Sequence, residues 1–207
     1  MPRRILSEAR CEQCFLRREY CYCAEIPRLE LKTRVSLIMH WTEFKATTNT
    51  GRWVRLALPN SETRLRGEKD RLVDLNGLWD ETRQPLFLFP QENSPVLGTI
   101  QYDRPVTLIV PDGTWRQAAK VWRREPILRA VPCVRLPEGL PSRYRLRRAP
   151  QPHCLSTLEA IARALGILEG KAIETALLRV FDDMVARTLI TRSPDSRRGP
   201  IDYFNRL

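Results

Sequence analysis

Residues 106–116, Val-Thr-Leu-Ile-Val-Pro-Asp-Gly-Thr-Trp-Arg, limit the possible fold more than any other stretch. Val106 to Val110 is apolar or β-branched throughout, the composition of a strand buried on both faces, as in parallel sheets. Pro111 lacks a backbone donor and is expected to stop that strand. Asp112-Gly113-Thr114 is turn chemistry, and Trp115 to Arg124 carries the spacing of an amphipathic helix. A strand, a tight acidic turn and a helix put Asp112 at the carboxyl edge of a parallel sheet, where open α/β folds bind ligands. Two readings of Asp112 stay open: a cap for the helix, or a carboxylate presented to a ligand.

Other segments fit an α/β chain. Arg34 to His40 alternates, with Val35, Leu37 and Met39 on one face, and reads as a strand. It runs into His40-Trp41-Thr42-Glu43-Phe44-Lys45, then Thr47-Thr48-Asn49-Thr50-Gly51-Arg52, and Trp53 to Leu58 reads as a helix. His40 and Glu43 are either an acid–base pair or a strand-end histidine bonded to a helix-start carboxylate. The Thr-Asn-Thr-Gly turn suits either a phosphate approached by backbone groups or a helix cap. Residues 60–84 are charged and weakly periodic. Leu86 to Phe89, closed by Pro90, is a second buried strand, residues 91–103 are loop, and Val131 to Leu136 is a third short strand. Pro137 to Pro152 is a basic, proline-rich loop. Its Arg143, Tyr144, Arg145, Arg147 and Arg148 could clamp RNA phosphate and stack a base. Ser156 and Glu159 form a capping box ahead of an apolar run. Residues 166–171 break the helical pattern, Ala172 to Ile190 forms a second helix, and the basic tail from Thr191 is expected to be loosely ordered.

Four of the six cysteines lie within thirteen positions, as Cys11-x2-Cys14-x6-Cys21-x-Cys23. Four thiolates close a tetrahedral zinc site and leave no open position, so the expected metal is structural and remote from any chemistry. An iron–sulfur cluster, free thiols or disulfides are the alternatives. Cys133 and Cys154 are isolated and read as core thiols. This divides the chain into a zinc-binding segment, residues 1–30, and one domain, residues 31–207. The length of 207 residues, 43% of them hydrophobic, supports one sizeable core. The N-terminus has no secretory apolar region and no run is long enough to span a membrane, so a cytoplasmic chain with reduced thiols is expected.

The formal charge is +11, and 30 of the 35 basic residues are arginine. Arginine pairs bidentately with phosphate and stacks on bases, which favours a polyanionic partner. A GC-rich coding sequence would raise the arginine content without any such role.

Four motifs stand in one order: the cysteine cluster, His40-x2-Glu43 leading to Thr48-Asn49-Thr50-Gly51, Asp112-Gly113-Thr114-Trp115, and Ser156-Thr157-Leu158-Glu159-Ala160. In this the chain resembles the DTW-domain family, named for its Asp-x-Thr-Trp motif, from Cys11 to about Ile190. Lys45 stands where the family carries arginine, which keeps the charge and loses the fork geometry. Trp41 stands where proline is common. The resemblance implies a SPOUT-like, knotted α/β fold, a parallel sheet with flanking helices, preceded by the zinc segment. It also implies transfer of the 3-amino-3-carboxypropyl group of S-adenosylmethionine to N3 of a tRNA uridine, giving acp3U and methylthioadenosine. Asp112 is then the catalytic carboxylate. Leu88, Phe89, Pro90, Pro111, Gly113, Thr114, Trp115, Leu136, Leu155, Ser156, Thr157 and Glu159 are assigned to the donor. His40, Glu43, Lys45, Asn49 and Arg52 join Arg143, Tyr144, Arg145, Arg147 and Arg148 as RNA contacts. Alternatives are an RNA methyltransferase, which would release adenosylhomocysteine, and a zinc-stabilised RNA-binding module, which would not bind S-adenosylmethionine.

Overall fold

The computed structural model describes residues 9–69, 72–91, 93–147 and 154–192. Five parallel strands form the sheet: β1 (Arg34–His40), β2 (Ser61–Arg66), β3 (Gln84–Leu88), β4 (Val106–Asp112) and β5 (Cys133–Val134), in the order β2-β1-β4-β3-β5. Among the described residues five α-helices flank it: α1 (Trp41–Phe44), α2 (Gly51–Ala57), α3 (Trp115–Arg124), α4 (Thr157–Leu168) and α5 (Lys171–Ile190). The expected parallel sheet with flanking helices and a four-cysteine segment is what the chain builds. No helix among the described residues is long and apolar enough to cross a membrane.

Strand alternation sorts the core into two layers. Val35, Leu37 and Met39 of β1, Leu86 and Leu88 of β3, and Leu108 and Val110 of β4 face a cluster shared with α2, α4, α5 and the cysteine segment. Ile38, Phe87 and Ile109 face the other way, onto Val121 of α3, Leu75, Leu78 and Leu128. β1, expected to be buried on one face, is therefore covered on both. Its polar Ser36 is tolerated because its hydroxyl donates to Glu62 at 3.0 Å.

Three sequence expectations change. Pro111 does not end its strand: β4 continues to Asp112, with Pro111 level with Ile38 and Asp112 level with Met39. The β3 ladder ends at Phe87 and Ile109, so β4 has one open side by residue 111 and the missing donor costs little. The charged stretch after residue 60 contains β2. It is an edge strand, half-buried along its length, so its charges sit beside solvent and hide its periodicity. The strand at 131–136 shrinks to two residues plus an isolated bridge from Arg135 to Val96. Most of the tail and Arg148 lie outside the described residues.

The connections from β1 and β4 leave in opposite directions, to β2 on one side and to β5 on the other. Adjacent strands with diverging connections open a crevice at their carboxyl ends. His40 and Asp112 end those two strands.

Candidate active site

Asp112 does not cap α3. Thr114 is the N-cap, and Gln117 completes a capping box with it. The Asp112 side chain is buried instead and both its oxygens are held: Asn49 Nδ2 donates to Oδ2 at 2.7 Å, and Thr157 Oγ1 donates to Oδ1 at 2.6 Å. Gly51 opens α2 directly against it, and a Cβ there would collide with the carboxylate. Burial pushes the Asp112 carboxyl up from the usual carboxylate range, and the two hydrogen bonds only partly oppose this. One carboxylate thus ties together β4, the turn before α2 and the start of α4.

A cavity of about 590 Å³ opens at the carboxyl ends of β3, β4 and β5. Of the residues expected at the donor, Leu88, Phe89, Pro90, Pro111, Gly113, Trp115, Leu136, Leu155, Ser156 and Thr157 line it. Thr114 and Glu159 do not. The Thr114 side chain is taken up in capping α3. Glu159 is fully enclosed and accepts from Ser156 N, Ser142 Oγ and Arg143 N, so it fastens the arginine loop to the start of α4. Asp112 does not line the cavity, although its neighbours Pro111 and Gly113 do, and Thr157 reaches both the cavity and Asp112. Sequence reasoning missed Arg135, Glu138 and Arg163 on the lining. Arg135 Nε donates to Ser94 O and Arg163 Nη2 to Leu140 O, and neither has a carboxylate partner among the described residues. Arg135 follows β5, Glu138 lies in the next loop and Arg163 on α4, so no local pattern joins them.

The expected RNA contacts divide. His40 and Glu43 are not a pair: His40 Nδ1 lies 2.7 Å from Thr42 Oγ1, while Glu43 accepts from Arg147 Nη2 at 2.7 Å. The separation follows from α1, a single turn that points Glu43 inward and leaves His40 at the strand end. Burial lowers the His40 imidazole further from its charged form, with Arg66 acting in the same direction. Burial would lower the Arg147 guanidinium, but its bond with Glu43 raises it overall. Arg147 Nε also donates to Thr48 Oγ1 at 2.8 Å, and Tyr144 Oη to Thr48 O at 2.5 Å. The arginine loop is therefore clamped over the turn that carries Asn49. Within that turn Arg52 N donates to Asn49 Oδ1 at 2.8 Å. Arg143 makes an exposed ion pair with Asp182, a contact of about 0–1 kcal/mol. Arg145 and Lys45 are exposed, the latter with its ammonium over Trp41.

The four cysteine sulfurs of residues 11, 14, 21 and 23 all lie within 4.8 Å of one another. Cys11 and Cys23 are 3.9 Å apart, and Cys14 and Cys21 3.8 Å. A tetrahedral zinc with bonds of about 2.3 Å sets its sulfurs about 3.8 Å apart, so the set fits that ion. The cluster is less remote than its sequence position implied. Tyr22 stacks on Trp53 of α2, its hydroxyl donates to Val180 O at 2.7 Å, and Phe15 lies under the Arg52 guanidinium. Cys154 is buried, as expected of a core thiol, and the half-buried Cys133 donates to Phe89 O at 3.1 Å.

The chain is 30% identical over 179 residues to tRNA-uridine aminocarboxypropyltransferase 2 of Macaca fascicularis, covering 82% of this chain and 60% of that protein. It is 29% identical over 170 residues to the protein of the same name from Drosophila melanogaster, covering 78% and 67%. It thus spans about 60% of the length of the first of these relatives. Among solved structures it is similar to the SAM-dependent rRNA:acp-transferase Tsr3 from Vulcanisaeta distributa, with a TM-score of 0.49 and 22% identity over 77% of this chain and 79% of that one. The family model of the DTW domain matches residues 8–189. That match runs from before the cysteine cluster, across the Asp112 turn, almost to the end of α5, and the chain belongs to the DTW-domain family.

Proposed function

We propose that this protein transfers the 3-amino-3-carboxypropyl group of S-adenosylmethionine to N3 of a uridine in tRNA. The observation that carries the reading is the cavity at the strand ends, joined through the Thr157 hydroxyl to the buried carboxylate of Asp112. Its volume of about 590 Å³ suits a ligand of nucleoside size. Main-chain groups of residues 88–90, 111–113 and 136 would take the adenine and ribose, with Trp115 beside them. The start of α4 and the guanidiniums of Arg135 and Arg163 favour the donor's α-carboxylate, and Glu138 its ammonium.

The sulfonium already activates the donor, so the protein's work is alignment and removal of one proton. The N3 electron pair attacks the methylene carbon next to sulfur. The carbon–sulfur pair returns to sulfur, and methylthioadenosine leaves as a neutral thioether. The N3 proton passes to Thr157 Oγ1 as the Thr157 proton passes to Asp112 Oδ1. A carboxyl raised by burial is the better acceptor near neutral pH. Zinc held by Cys11, Cys14, Cys21 and Cys23 would brace the fold and take no part in the transfer. The test is single-turnover reaction of the protein with S-adenosylmethionine and unmodified tRNA, followed by nucleoside mass spectrometry. The expected products are acp3U and methylthioadenosine. Adenosylhomocysteine would mean methyl transfer, and no product with tight tRNA binding would mean a binding module.

A further inference from the structure

A second groove, of about 630 Å³, lies between the cysteine segment and α2, away from the cavity at the strand ends. Three guanidiniums and one carboxylate line it: Arg28 after the cysteine segment, Arg52 and Arg55 of α2, and Glu12 of the cysteine segment. None of the three has a carboxylate partner among the described residues. Elsewhere the same chain pairs its arginines readily: Arg34 and Arg64 with Glu62, Arg66 with Glu125, Arg147 with Glu43. Arg52 is the most confined of the three, lying over the Phe15 ring with one bond to Phe44 O, and burial pushes its guanidinium down to about 10. Thr63 also lines the groove, and its hydroxyl is buried without a hydrogen-bond partner. Phe44 stands at the rim with 39% of its surface exposed.

Guanidiniums without a carboxylate partner and an exposed ring are the groups that hold a phosphodiester and stack its neighbouring base. We infer that this groove takes backbone phosphates of the tRNA substrate, so that the cysteine segment and α2 form an RNA-docking surface separate from the donor cavity. The inference rests on the tRNA reading above. Its rival is that the arginines only offset the charge of a metal held by four thiolates, since Cys23 borders the groove too.

The double variant Arg28→Ala/Arg55→Ala tests this. Both side chains are exposed, and Arg52 stays in place because it packs between α2 and Phe15. Binding of unmodified tRNA is measured by fluorescence anisotropy across a salt series, with zinc content and thermal melting on the same samples. A companion variant, Arg124→Ala/Arg179→Ala, removes the same charge from exposed positions outside the groove. The groove variant is expected to flatten the slope of log K against log salt by about 1.4–1.8, from about 0.7–0.9 per phosphate contact, with zinc and melting unchanged. The companion is expected to leave the slope near wild type. An unchanged slope, an equal change in both variants, or lost zinc with intact tRNA affinity would each overturn the inference. Wild-type protein that binds tRNA through this groove but makes no acp3U would overturn the transfer reading alone.

Discussion

Asp112 is a carboxylate with both oxygens already engaged, by Asn49 and Thr157, before any substrate arrives. Asp112→Asn keeps those contacts, because an amide can accept from Asn49 and the Thr157 hydroxyl can turn to accept from it. It cannot take a proton. Turnover should therefore fall about 10²–10⁴-fold while donor affinity stays near wild type, measured by single-turnover acp3U formation and calorimetry. Thr157→Val should lose at least about 100-fold in turnover, and Thr157→Ser should restore it to within a few-fold, because only the hydroxyl carries the proton. If Thr157→Val instead weakens donor binding with turnover intact, the hydroxyl serves the donor carboxylate alone. The pH dependence has a definite sign. The folded Asp112 carboxyl titrates above its unfolded value, so its stabilising effect is complete at low pH and is lost as pH rises through the folded value. Asp112→Asn should thus gain melting temperature relative to wild type as pH goes from 4 towards 7. A difference that shrinks over that range would contradict the buried, proton-seeking environment.

At the scale of elements, α2 begins against the site and the arginine loop is clamped over the turn that precedes it. Gly51 lets α2 begin in contact with Asp112, where any Cβ must displace either the helix or the carboxylate. Gly51→Ala should cost about 1–3 kcal/mol, the usual penalty for overpacking, and should lower turnover more than it lowers stability. Thr114→Ala makes the contrast. It removes the capping box of α3 and should cost about 1 kcal/mol in denaturant unfolding, with donor affinity close to wild type, since Thr114 is outside the cavity.

Over the whole molecule, the cysteine segment belongs to the same core as the sheet. Cys14, Leu16, Tyr22 and Ile26 are buried with Trp53 of α2 and Val180 of α5. On the proposed zinc reading, Cys23→Ser should lower metal content, as read by elemental analysis, and lower stability by about 2 kcal/mol or more, roughly 5 °C in Tm for a chain of this size. Because α2 begins two residues after Asn49, the loss should also loosen the Asp112 contacts. Full metal content in the variant, or an unchanged Tm, would remove the segment's role as a brace.

What the residues determined alone is local. Val106 to Val110 could only be a buried strand, Trp115 to Arg124 an amphipathic helix, and Ser156 with Glu159 a capping box, because burial, periodicity and capping act over a few neighbouring positions. The spacing of four cysteines named a tetrahedral site for the same reason. β2 stayed hidden, since an edge strand bears charges that blur its alternation, and Pro111 misled, since its cost depends on whether β3 still pairs beside it. The partners of Asp112 lie 63 and 45 residues away, and those of Glu43 and Glu159 on distant loops. Only the tertiary structure could decide between a cap and a buried carboxylate coupled to a cavity, because the choice rests on which strand ends, helix starts and loops the folded sheet brings within hydrogen-bond reach.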